Sequence, residues 1–204
     1  MIYAHTLDIL AYSTLGPFAV LQSRVHEVWA RFFSSTLEDR LRYAPSDCFE
    51  TFPFPPGYET DAALEAAGQT YHHHRAALMV AADEGLTKTY NRFHDAGERS
   101  GPIGALRKLH DAMDRAVLRA YGWDDLADTL RPEFLTEETE DDHTYQGRCF
   151  WPAEARDLVL SRLLALNAER HAEELAAGLV TTKGRKKAGE DEGDSEGQSR
   201  LDLD

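Results

Sequence analysis

Residues 18–56 read FAVLQSRVHEVWARFFSSTLEDRLRYAPSDCFETFPFPP, and three kinds of local structure follow one another in this stretch. Its first half has apolar residues at the three- and four-residue spacing of an amphipathic helix, at Leu21, Val25, Val28, Trp29 and Phe32. The preceding Gly16-Pro17 pair favours a helix start, because proline loses no hydrogen bond at the first helical position. The block TFPFPP at 51–56 cannot be helical, since each proline pushes its predecessor toward extended geometry. The stretch therefore predicts one helix, a polar break and an extended aromatic segment.

Three further helices are predicted downstream. The first covers residues 60–84, with Thr60 as its N-cap and Gly85 as its C-terminal stop. The second covers residues 102–121, where apolar side chains recur every three or four positions. The third begins at Pro152 and has a wide apolar face. Residues 86–101 are interpreted as an exposed loop, and the acid-rich residues 124–143 as a short helix followed by a loop.

The signals for β-structure are weaker. Residues 1–12 alternate in a strand-like way, and short strands are expected near 41–43, 48–52 and 144–150. Residues 181–204 contain too little apolar surface to order themselves and are predicted to be a disordered C-terminal tail. The predicted fold class is mainly α within α+β: antiparallel helices packed on a small remnant of β-sheet.

The composition limits the functions to consider. The chain has 204 residues and a formal net charge of −14, so extended phosphate-binding surfaces are excluded. Any contact with DNA must come from a local patch; residues 24–42 hold four arginines against three acids, a net of +1. There is no secretory signal or membrane-length apolar run, and the two cysteines suggest reduced thiols. We therefore expect a cytoplasmic protein.

Three ordered blocks resemble one group of bacterial enzymes. The pattern FxVLxSxxHxxWxR followed by LRYxxSDCFxTFPFP resembles the end of the target-recognition region of type IIG/IIL restriction–modification enzymes and related adenine-specific DNA methyltransferases of defence islands. The segment LRKLHDAMDRAVLRAYGW at 106–123 resembles the helical segment that follows in those proteins, and FWPAEARDLVLSRLLALNAER at 150–170 their closing helix.

This resemblance implies that the chain has three regions and that the catalytic domain lies on another chain. Residues 1–58 would be the end of a target-recognition region, residues 59–180 a helical C-terminal domain, and residues 181–204 the tail. The chain would begin partway through a domain and bind double-stranded DNA beside a methyltransferase catalytic domain on another chain, which would hold S-adenosylmethionine. It would take part in restriction–modification and phage defence.

The sequence itself provides no catalytic set. It lacks a glycine-rich turn for S-adenosylmethionine, an Asn/Asp-Pro-Pro-aromatic motif for a flipped base and an acidic–acidic–lysine nuclease cluster. His72, His73 and His74 are adjacent, and three successive helix positions cannot converge on one metal ion. We therefore predict no catalytic, cofactor-binding or metal-binding residue. His110 is interpreted as a core histidine, Cys48 as a buried small side chain, and Asp114 as a solvated charge.

The residues predicted to contact DNA lie between positions 24 and 43. Arg24, His26 and Arg31 are expected to project from the polar side of the first helix. Ser34, Ser35 and Thr36 follow at the end of that helix. Arg40, Arg42 and Tyr43 come after the acidic pair Glu38-Asp39. Arginine pairs with phosphate or reads guanine, so DNA contact by this segment is one interpretation, and the resemblance favours it. The alternative is that Arg40 and Arg42 pair with Glu38 and Asp39, while Tyr43 packs beneath the FPFP block.

A second function remains open from the sequence. The acidic tail and the charge of −14 also suit a helical module that docks on another protein and has no role with nucleic acid. DNA retention against salt would separate the two hypotheses.

Overall fold

The computed structural model describes residues 10–37 and 40–179, of which 35–37 and 40–42 are described by their backbone alone. Within this part the chain forms eight helices: α1 (Gly16–Gln22), α2 (Arg24–Phe33), α3 (Pro45–Cys48), α4 (Ala62–Ala82), α5 (Leu86–His94), α6 (Gly101–Ala120), α7 (Asp124–Thr129) and α8 (Ala153–Ala176). The prediction of a mainly α protein is confirmed. None of the helices described is long and apolar enough to cross a membrane.

The first predicted helix is two helices. α1 begins at Gly16 as expected, but Ser23 takes an extended conformation (φ −72°, ψ 158°) and separates α1 from α2. The Ser23 hydroxyl accepts a hydrogen bond from the backbone N–H of His26 (3.4 Å), as an N-cap residue does. Apolar residues are buried on both helices, among them Val20 of α1 and Val25 of α2, so the apolar pattern alone does not reveal the break.

Helix α4 starts and ends close to its predicted limits with different caps. Asp61, not Thr60, is the N-cap: its Oδ1 accepts from the backbone N–H groups of Ala63 and Leu64 (both 2.8 Å). The helix ends at Asp83, which has φ 50°. Gly85 instead precedes α5, so the prediction of an exposed loop over 86–101 is wrong for its first nine residues.

Gly68 allows α1 and α4 to approach closely. A Cβ at this position would lie 2.3 Å from the carbonyl oxygen of Leu15, a distance that no real Cβ tolerates. Alanine would be the better helix former, so the glycine is required by packing against a neighbouring backbone.

Helix α6 lies within one residue of its predicted range, 102–121; α7 is the short helix expected in 124–143, and α8 begins one residue after Pro152. Beyond α6, Gly122 has φ 75° and the backbone N–H of Trp123 donates to the carbonyl of Leu118 (2.9 Å). This is the expected left-handed glycine ending. Pro152 is the N-cap of α8, one residue before the helix begins.

The β-structure consists of two separate antiparallel ribbons. β1 (Ser35–Leu37) pairs with β2 (Arg40–Arg42), and β3 (Glu133–Phe134) pairs with β4 (Cys149–Phe150). The strand expected near 48–52 is wrong, because α3 and a turn occupy that segment. Most of the strand expected over 1–12, and the tail 181–204, lie outside the described residues.

Two apolar clusters form the core. One joins α1 and α2 to α7 and α8 through residues such as Val20, Trp29, Leu126 and Val159. The other joins α1 and α4 to α5 and α6, with Tyr71 at its centre. Both clusters contain residues from either side of position 58, so the predicted recognition and helical regions share their core.

Candidate nucleic-acid interface

Arg24 lies in the interior, and the expectation that it projects from a polar helix face is wrong. Its side chain is 1% exposed and forms an ion pair with Asp114 of α6, Nη1 to Oδ2 at 2.5 Å. Nη2 donates to the carbonyl of Cys149 (3.1 Å). Burial would lower the pKa of Arg24, but Asp114 outweighs this effect and raises it. The guanidinium therefore stays charged and anchors the start of α2 to α6.

Asp114 and His110 complete this buried network. Asp114 was interpreted as a solvated charge, and that is wrong: it is 1% exposed and also accepts from the backbone N–H of Arg24 (2.8 Å). Burial would raise the pKa of Asp114, but the neighbouring His110 and Arg24 together outweigh burial and lower the pKa. His110 is a core histidine as predicted. Since arginine has only donors, His110 Nδ1 accepts from Arg24 (2.9 Å), and Nε2 donates to the carbonyl of Gln22 (3.1 Å).

Arg31 belongs to a second ionic cluster, on the surface of α2. Its Nε and Nη2 donate to Glu27 Oε1 (2.9 and 2.8 Å), and its guanidinium lies 4.8 Å from the ring centre of Tyr145. Arg148 donates to the same Glu27 oxygen (2.7 Å). Burial would raise the pKa of Glu27, but Arg148 and Arg31 lower it. The charge of Arg31 is thus directed toward a carboxylate of its own helix.

His26 and Tyr43 are in contact, and the expectation that His26 projects from a polar helix face is wrong because its side chain is buried. His26 is 4% exposed, its Nε2 lies 3.0 Å from the hydroxyl of Tyr43, and its ring packs edge-on against Phe52 at 4.6 Å. Burial lowers the pKa of His26 to about 4, so the imidazole is neutral at pH 7. Tyr43 is 42% exposed and lies one residue beyond β2.

The segment after α2 turns back as the β1–β2 ribbon. Ser34 ends α2, is 9% exposed, and its hydroxyl lies 3.6 Å from the thiol of Cys48. The register places Ser35 opposite Arg42 and Thr36 opposite Leu41. The acidic pair at 38–39 lies outside the described residues, so its pairing with Arg40 and Arg42 stays a hypothesis.

The FPFP block fastens this unit to α8. Phe54 stacks on Tyr58 at 4.5 Å, and its carbonyl accepts from Arg170 Nη1 (2.7 Å). The carbonyl of Thr51 accepts from Asn167 Nδ2 (2.7 Å), while the Thr51 hydroxyl accepts from Trp29 Nε1 (3.2 Å). The block is a structural support for α2.

The structure thus separates the nine predicted residues into two groups. Arg24, Arg31 and Ser34 are held inside or by internal partners, whereas Ser35, Thr36, Arg40 and Arg42 belong to the ribbon, with His26 and Tyr43 at its base. The residues that sequence reasoning missed are the acids: Glu27 is four positions from Arg31, and Asp114 is four positions from His110. This helical spacing was the available signal. Among the described residues no group of histidine, cysteine or acidic side chains could hold a metal ion.

Comparison with known proteins identifies one part of the chain. A family model described as "MmeI, target recognition domain" matches residues 1–56. Among curated proteins and solved structures, none matches the chain significantly. The matched range covers α1, α2, the β1–β2 ribbon and α3. Residues 1–56 therefore resemble the recognition region of a restriction–modification enzyme, as the first sequence block predicts; the helical similarity of 106–123 and 150–170 stays a prediction.

Proposed function

We propose that this protein contributes a DNA-recognition element to a restriction–modification system, with the β1–β2 ribbon as its DNA-contacting part. The observation that carries the proposal is the match of residues 1–56 to a target recognition domain. A two-stranded ribbon fits the major groove of B-DNA, which is about 12 Å wide.

The register of the ribbon supports the choice of residues. Paired residues of an antiparallel ribbon, and alternate residues along a strand, share a face. Positions 35, 37, 40 and 42 therefore share one face, which brings both arginines to the same side as Ser35. We propose Arg40 and Arg42 as the main contacts, with Ser35 beside them and Thr36 on the opposite face. Arg24, Arg31 and Ser34 support α2 instead.

The charge of the chain limits what the ribbon does alone. With a net charge of −14, most of the surface repels DNA, so the ribbon is a local patch and further affinity comes from elsewhere. We propose that a methyltransferase catalytic domain outside these residues supplies it, together with S-adenosylmethionine and the chemistry. Such a system acts on DNA in the cytoplasm.

The proposal is tested by binding to a fluorescent duplex of about 30 base pairs at low salt. Two lost phosphate contacts should weaken binding by the variant Arg40→Ala/Arg42→Ala about tenfold or more at 100 mM salt. The matched control is Arg119→Ala/Arg131→Ala, which removes two arginines outside the matched region and should leave the affinity within about twofold. Equal affinities of the two double variants would contradict the assignment. Absence of DNA binding by the chain, and by the chain with its methyltransferase, would favour the acidic protein-docking module.

A further inference from the structure

We infer that the His26–Tyr43 contact is a positioning device that fixes the direction of the β1–β2 ribbon relative to α2. The inference rests on the proposed function, because its purpose is to hold the arginine face of the ribbon toward DNA. Tyr43 is thereby assigned a role different from direct DNA contact.

Both ends of the ribbon are attached to one helix. The first strand leaves α2 at Ser34, whose backbone N–H donates to the carbonyl of Ala30 (2.9 Å). The second strand ends next to Tyr43, whose hydroxyl lies 3.0 Å from His26 Nε2 in the first turn of the same helix. Eight residues of α-helix separate the two attachment points by about 12 Å. The His26–Tyr43 hydrogen bond therefore adds a contact between the end of the second strand and the first turn of α2, which restricts the direction of the ribbon relative to that helix.

The attachment at His26 is itself rigid. His26 is 4% exposed, and its ring is held by the edge of Phe52 at 4.6 Å. Its Nδ1 is buried without a hydrogen-bond partner. Because a buried N–H without an acceptor costs more than an unused lone pair, the proton lies on Nε2, and His26 donates to the Tyr43 hydroxyl.

The same helix is anchored to the body of the protein. Arg24, two residues before His26, is joined to Asp114 of α6 by its backbone N–H (2.8 Å) and by Nη1 (2.5 Å). A chain of contacts therefore runs from α6 through Arg24 and α2 to His26, Tyr43 and β2. The first link is the buried Arg24–Asp114 contact and the last is the part-buried His26–Tyr43 contact, and helix α2 joins the two.

The test is a double-mutant cycle with Tyr43→Phe, which keeps the ring and removes the hydroxyl. Affinity for the fluorescent mixed-sequence duplex is measured in the wild-type and in the Arg40→Ala/Arg42→Ala background, at low salt. A positioning residue acts through the arginines, so Tyr43→Phe should weaken binding about fivefold in the first background and less than about twofold in the second. An equal loss in both backgrounds, or no loss in a chain that binds DNA, would overturn the inference.

A second measurement separates this inference from the proposed function. Backbone amide exchange of residues 35–37 and 40–42 should become faster in Tyr43→Phe, while exchange in α6 is unchanged. The matched control is Tyr12→Phe, which removes another tyrosine contact (Tyr12 to Tyr58, 3.0 Å between hydroxyls) and should leave exchange in the ribbon as it is. If the chain binds no DNA, the proposed function fails, but the amide-exchange measurement still shows whether Tyr43 fixes the ribbon. Unchanged exchange of the ribbon in Tyr43→Phe would refute the positioning role of Tyr43.

Discussion

Replacing Asp114 by alanine should destabilise the fold more than any surface substitution. The change removes the carboxylate that neutralises Arg24, and both side chains are 1% exposed. It also leaves the backbone N–H of Arg24, at the start of α2, without its acceptor. Breaking a buried ion pair from one side costs about 3–5 kcal/mol, because the remaining charge stays buried and uncompensated.

The matched control lies one turn away on the same helix. Asp111 forms an ion pair with Arg115, four residues further along α6, and both side chains are partly exposed to solvent, Asp111 by 16% and Arg115 by 31%. Exposed pairs contribute about 0–1 kcal/mol. Urea unfolding followed by circular dichroism should therefore show a midpoint lowered by roughly 2 M for Asp114→Ala, and by less than about 0.5 M for Asp111→Ala. Midpoints within about 0.5 M of each other would refute the assignment of a buried, energetically coupled pair.

The pH dependence of stability follows from the same pair. The pKa of Asp114 is lower in the folded chain than the ordinary aspartate value of 3.8. Its contribution is therefore complete above about pH 4 and is lost as the pH falls through the folded pKa. The difference in unfolding free energy between wild type and Asp114→Ala should shrink on acidification below pH 4. A difference that stays constant with pH would mean that the carboxylate is not ionised in the native state.

Two other predictions concern packing and protonation. Gly68→Ala should destabilise the chain by about 1–3 kcal/mol in thermal unfolding, because the new Cβ would meet the carbonyl oxygen of Leu15 at 2.3 Å. Gly104→Ala, in open space on α6, is the control and should stabilise the chain by up to about 1 kcal/mol. Stability changes of the same sign for the two variants would contradict the close packing at Gly68. Burial lowers the pKa of His26 from 6.5 to about 4, so NMR titration of its imidazole should give a midpoint near 4. Because the ring is neutral in the folded chain, about 3 kcal/mol of folding stability should be lost as the pH falls from 6.5 to 4. A midpoint near 6.5 would show that the ring is solvated.

Helical periodicity predicts the three long helices because each buries a stripe of apolar side chains. Leu64 and Tyr71 are fully buried on α4, as are Ile103 and Met113 on α6 and Val159 on α8. Helix α5 was missed because only two of its nine residues, Thr89 and Phe93, are buried, and the polar residues around them mask the four-residue spacing. A short helix with so narrow a buried face resembles a loop in composition.

The ionic networks could not be read from the sequence for a different reason. Arg24 and Asp114 are ninety residues apart, and a charge on a helix is interpreted as solvated until its partner in the fold is known. The end of α2 after Phe33 and the non-helical TFPFPP block were predictable, because both have local sequence signals. Which arginines of the candidate interface point inward depends on tertiary packing alone.

We propose that Arg40 and Arg42 contact DNA phosphates or bases through the ribbon. The most direct measurement is the slope of log affinity against log salt concentration for wild type and for Arg40→Ala/Arg42→Ala. Each lost phosphate contact lowers the magnitude of the slope by about 0.9, so the double variant should show a slope smaller in magnitude by about 1–2. Parallel lines with the same slope would contradict it.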